Sequence, residues 1–63
     1  MKHKKWVIEV IKGDEVVRKS DIVLAFDWYG VIEDKVYKDM KKTLIGNERL
    51  NIRLARKDEI MAL

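Results

Sequence analysis

Few residues in this chain could do chemistry alone: one histidine (His3), one serine (Ser20), one threonine (Thr43) and no cysteine. Covalent or acid–base catalysis needs a nucleophile and a base within hydrogen-bond reach, held in place by a third group. His3 stands between Lys2 and Lys4 with no carboxylate or second histidine at ligand spacing, which suits a solvated side chain. Ser20, in Arg18-Lys19-Ser20-Asp21, lacks a G-x-S-x-G elbow and reads as a residue at a strand bend. The acidic pairs Asp14-Glu15, Glu33-Asp34 and Asp58-Glu59 are adjacent residues, which point apart on strand or helix alike. Gly13, Gly30 and Gly46 are too dispersed to cradle a phosphate. The inventory predicts a non-enzymatic protein with no cofactor, metal or small-molecule substrate.

Binding chemistry is better supplied. Lys4 and Lys5, with Lys2, form one basic cluster, and Arg49, Arg53, Arg56 and Lys57 form another. With Lys38, Lys41 and Lys42 alongside, they could meet several phosphates of a nucleic acid, with affinity falling as salt rises. The plainer account is that a half-buried strand needs a polar outer face. Trp28 and Tyr29, two large amphipathic rings in sequence, suit either an interface anchor or the wet end of a thin core.

Hydrophobic spacing indicates what must position these groups. Lys5 to Ile11 alternates as a strand, with Trp6, Ile8 and Val10 on one face and Val7, Glu9 and Ile11 on the other. Gly13-Asp14 makes a turn, and a second strand follows from Val16 to Phe26, bent or bulged near Lys19 to Asp21. From Tyr29 to Ile45 the period lengthens: Ile32, Val36, Met40 and Leu44 lie four apart, Asp27 is the candidate N-cap, and Gly46-Asn47 ends the helix. Arg49 to Ala55 alternates again as a third strand, expected beside the first and antiparallel to it. The tail, Arg56 to Leu63, reads either as a short helix capped by Asp58 or as a loosely held end. The fold class is α+β: one ββαβ domain over residues 1–63, a three-stranded, mainly antiparallel sheet with one amphipathic helix on one face. Residues 1–4 and 58–63 are the parts expected to be least ordered.

One helix covers one sheet face, and Trp6, Ile8, Val10, Leu24 and Phe26 suffice to fill it. Val7, Ile11, Val17 and Val23 are left for the opposite side, a surplus that marks a contact surface unless Ile60, Met61 and Leu63 fold back over it. At 63 residues, with 48% hydrophobic and 40% charged, the chain has a thin core and no disulfide to staple it, so a partner subunit is the remaining support. The net charge of +3, from 14 basic and 11 acidic residues, is a mild bias that serves solubility. The longest apolar run, Ile22 to Phe26, is far below the roughly 20 residues of a membrane span. No export signal is visible in the first residues, which leads to an expectation of a cytoplasmic protein. The functional expectation is a protein-binding adaptor or inhibitor of a larger machine, of the kind phages and mobile elements encode. It would act through Val7, Ile11, Val17, Val23, Trp28 and Tyr29 on another protein or a second copy of itself. The alternative is a nucleic-acid-binding regulator that uses the basic clusters.

Overall fold

The computed structural model describes residues 3–61. Its elements run β1 (Lys4–Lys12), β2 (Glu15–Lys19), β3 (Val23–Ala25), α1 (Trp28–Glu33), α2 (Lys35–Lys42), β4 (Glu48–Leu54) and α3 (Lys57–Met61). All four strands join one antiparallel sheet in which β1 pairs with each of the others. Strand β4 lies along β1 from Trp6↔Leu54 to Lys12↔Glu48, next to strand one as its alternation predicts. Strands β2 and β3 contact residues of β1 that β4 also pairs, so they share the other edge, end to end.

The expected second strand is therefore two strands in line, broken at Ser20 to Ile22. The break is stitched to β1: Ser20 N–H donates to the Ile8 carbonyl at 2.8 Å, and Ser20 Oγ accepts from Ile8 N–H at 3.0 Å. A bulge lies in β2, earlier than the sequence suggests, since Val10 faces Arg18 while Ile11 faces Val16 and Val17 is the extra residue. The two-residue turn Gly13-Asp14 has positive φ only at Gly13 (64°), the pattern of a type II′ hairpin.

These irregularities reverse the expected parity of the strand's second half. Val23 and Ala25 are buried while Leu24 and Phe26 are exposed, the opposite of the alternation expected from the sequence. Val23 is thus a core residue, 4% exposed, and not the contact residue that the alternation predicts. On the helix side, Trp6, Ile8, Val23, Ala25 and Val31 form the core, with Tyr37, Met40, Leu50 and Ile52 packed against them. The Trp6 indole, too polar to bury unpaired, donates Nε1–H to the Ala25 carbonyl at 2.9 Å.

The single helix expected over Tyr29 to Ile45 is two helices. Asp27 caps α1, accepting from Gly30 N–H at 2.9 Å. Asp34 then adopts an extended backbone (ψ 145°) and caps α2 by accepting from Val36 N–H at 2.9 Å. That break resets the helical phase: Val31 is fully buried, whereas Val36, a member of the predicted stripe, is largely exposed. α1 approaches β3 closely enough that a Cβ on Gly30 would lie 3.1 Å from that of Ala25.

Helix α3 resolves the reading of the tail over its described part. Glu59 accepts from Arg56 N–H at 2.9 Å, so the reciprocal half of a capping box, not Asp58, secures the helix start. Leu63 lies outside the described residues, as do Met1, Lys2 and Ala62.

Candidate protein-binding surface

Helix α3 reaches over the sheet face opposite the core through Glu59. That carboxylate takes two bonds from Arg53, Nη1 at 2.6 Å and Nη2 at 2.8 Å, and one from Lys19 Nζ at 3.0 Å. Arg53 Nε donates at 2.9 Å to Glu9, whose other oxygen accepts from Asn51 at 3.1 Å. The register explains the convergence, because Glu9 stands between Lys19 and Asn51 and the neighbouring Val7 faces Arg53. Arg53's hydrogen bond holds the Glu9 carboxyl below its usual range against the opposing effect of burial, with Asn51 assisting. Glu59 is likewise held well below that range, first by Arg53 and then by the Arg56 N–H and Lys19. Arg53 is correspondingly held above its ordinary value, chiefly by Glu59.

This polar clamp corrects two readings. Val7, expected on an open face, is 1% exposed and so cannot present a surface. Arg53, expected among phosphate contacts, has its guanidinium committed to two carboxylates. Glu9 and Glu59 were not among the predicted functional residues, although a lone glutamate inside Trp6 to Ile11 was the available signal.

What remains accessible lies at the two ends of the sheet and along one edge. At the hairpin end, β2 is exposed at every residue, with Val16 at 47% and Val17 at 43%, beside half-buried Ile11. Its outer edge has no paired strand among the described residues. An open groove of about 380 Å³ lies beside the bend, lined by residues 18–23 and by Val36 and Met40.

At the other end, Lys4 pairs with Ala25, and Ala55 N–H donates to the Lys5 carbonyl at 2.9 Å. The chain that leads into Arg56 and Lys57 thus leaves the sheet beside Lys5, while Phe26, Trp28 and Tyr29 are exposed just beyond the Ala25 that Lys4 faces. The Trp28 and Tyr29 rings meet edge to face at 5.7 Å, and His3 stacks on Phe26 at 4.2 Å. Arg49 does not join this group, because it faces Ile11 at the far end of β4. Lys38, Lys41 and Lys42 lie on α2, with Lys38 3.7 Å from Glu33.

Ser20 is occupied as a backbone bridge, its hydroxyl donating to the Asp21 carbonyl at 2.8 Å. Among the described residues no group of His, Asp and Glu side chains could hold a metal ion, and no helix is long and apolar enough to cross a membrane. No protein-family model matches the chain, and comparisons with curated proteins and with solved structures return no match.

Proposed function

We propose that the chain is a non-enzymatic protein-binding module, an adaptor or inhibitor, whose contact element is the β2 edge with Val16, Val17 and Ile11. The observation that carries this reading is the bareness of β2: five residues, all exposed, two of them adjacent valines, on a strand with no outer neighbour among the described residues. Exposed strand edges template pairing with other chains, and proteins that do not use them usually cover them. Here α3 meets β2 at Lys19, yet all five β2 residues remain exposed. Binding at such an edge acts by occlusion or tethering and requires no catalytic group.

The test is affinity capture from the native cell extract with wild type and Val17→Glu, each with and without nuclease. An unpaired carboxylate at a desolvated contact is costly, whereas on an exposed strand it is tolerated. The expected result is a nuclease-resistant protein retained by wild type and lost by Val17→Glu, with circular dichroism unchanged. Identical recovery by both would sink the edge as the contact element.

A second reading is favoured by the other end of the sheet, where Lys4 and Lys5 lie on the strand between the one that leads into Arg56 and Lys57 and the one that leads into the exposed Phe26, Trp28 and Tyr29. Stacking faces combined with cations suit single-stranded nucleic acid. Fluorescence anisotropy with single-stranded DNA and RNA at low ionic strength tests it: binding should weaken with salt and be lost in Arg56→Glu/Lys57→Glu. Absence of binding by wild type would leave these charges with a solubilising role.

A further inference from the structure

We infer that the β2 edge pairs with the β2 edge of a second copy of this chain, antiparallel, about a two-fold axis between Val16 and Val17. The inference rests on the proposed use of the edge and identifies its occupant. From Asp14 to Lys19 the chain reads acid, acid, valine, valine, base, base. Run antiparallel against itself, this segment sets Val16 against Val17, Glu15 against Arg18 and Asp14 against Lys19. Every facing charge is opposite in sign, and each pair occurs twice.

In a regular strand that register is forbidden. Residues facing each other across an antiparallel pair must lie on the same sheet face, and residues three apart do not. The two symmetry-related pairs must also have the same hydrogen-bonding phase, which alternates along the strand. The bulge removes both obstacles. Arg18 faces Val10 and Glu15 faces Lys12, and Val10 and Lys12 are two residues apart on a regular strand. Glu15 and Arg18 therefore share one face and one phase despite being three apart. The extra residue that would otherwise disfavour edge pairing makes this particular self-pairing the geometrically consistent one.

The participating groups are accessible. Glu15 is exposed and has no ion-pair partner among the described residues. Arg18, its side chain 48% exposed, makes only a 3.7 Å contact with Glu48, which leaves donors for a second carboxylate. Lys19 holds Glu59 with a side chain 55% exposed. The opposite edge disfavours the same arrangement: β4 paired with itself about Asn51 would set Arg49 against Arg53. Because β2 is short, the resulting dimer is small in area, held largely by charge, and sensitive to salt.

Sedimentation equilibrium of the full chain tests this with three samples: wild type, Glu15→Arg and Arg18→Glu. Wild type should rise from monomer to dimer mass with concentration at low ionic strength and dissociate as salt is added. Each single reversal places like charges in facing positions and should weaken association about tenfold or more. An equimolar mixture of the two variants restores opposite signs at every Glu15/Arg18 position and should recover wild-type association as a heterodimer.

Should either reversal compromise folding, the cysteine-free background allows a second measurement. Val16→Cys mixed with Val17→Cys should form a disulfide heterodimer on mild oxidation faster than either variant forms a homodimer. Wild type that stays monomeric at about 1 mM and low salt overturns self-pairing. So do reversals that associate like wild type, or a mixture that fails to recover. A monomeric wild type whose partner capture still depends on Val17 would overturn self-pairing and leave the binding-module reading in place.

Discussion

Arg53 grips Glu59 through two side-by-side hydrogen bonds of 2.6 and 2.8 Å, tying the last described helix to the outer face of the sheet. Because Arg53 Nε also holds Glu9, the guanidinium is the only cation among the described ion pairs that serves two carboxylates.

Arg53→Ala should therefore both release α3 and leave Glu9, only 8% exposed, without its main partner. Allowing for solvent screening, the loss should be about 1–3 kcal/mol, read as a lower urea midpoint. An unchanged midpoint would show that the clamp does not hold the helix. For the same reason Arg53 is a poor site for probing nucleic-acid contacts by charge reversal.

The pH dependence follows from the sign of the carboxyl shifts. Glu9 and Glu59 are both lowered from the ordinary 4.5, so on acidification the unfolded chain takes up their protons first. Their contribution is fully present above that value and is lost as the pH falls through the lower folded-state values. The urea midpoint should be nearly flat from about pH 8 to about pH 6 and fall below about pH 5, more steeply in wild type than in Arg53→Ala. Equal acid slopes in the two proteins would detach the clamp from acid stability.

Core substitutions should rank by the observed burial and not by the four-residue stripe. Ile8→Ala removes a fully buried side chain and should cost about 2–5 kcal/mol, whereas Val36→Ala, at an exposed position, should change stability by about 0.5 kcal/mol or less. Comparable losses from both would mean that α2 is seated more deeply than described.

The two tryptophans should be distinguishable by fluorescence. Trp6 is buried and bonded to the Ala25 carbonyl, while Trp28 is 56% exposed, so acrylamide should quench one emitting population and spare the other. Trp28→Phe should remove the quenchable population. Quenching of the variant as strong as that of the wild type would place Trp6 within reach of solvent.

How much was legible depended on regularity. β1, the Gly13-Asp14 turn, the Asp27 cap and the strand after Gly46 follow local rules, and each stands where those rules put it. Past Val17 the alternation does not show which residues face the core, because one extra residue and a side-chain-stitched bend shift the parity without altering composition. The helix break was hidden for a related reason: Asp34 fits a solvent-facing slot between Ile32 and Val36, and nothing in its type distinguishes that from a cap. The clamp joins Glu9 to Arg53 across 44 positions, which needs the strand register, and then to Glu59, which needs the placement of α3. Of the basic residues, Arg53 is tied to two carboxylates and Arg49 lies at the far end of β4 from Lys4 and Lys5, placements that depend on strand register and not on residue type.

The pairing of β1 with all three other strands has a consequence for cooperativity. Its contacts with β4 join residues between 36 (Lys12 and Glu48) and 48 (Trp6 and Leu54) positions apart, so of the three pairings this one closes the longest loops. The β1–β2 hairpin is local, whereas the β4 edge closes a loop that contains β2, β3, α1 and α2. Once both edges are closed, neither can open without exposing the strand that supports the other. Amide exchange at Val7, Ile8 and Val10 should then require global unfolding, while β2, with one free side, exchanges through local fraying.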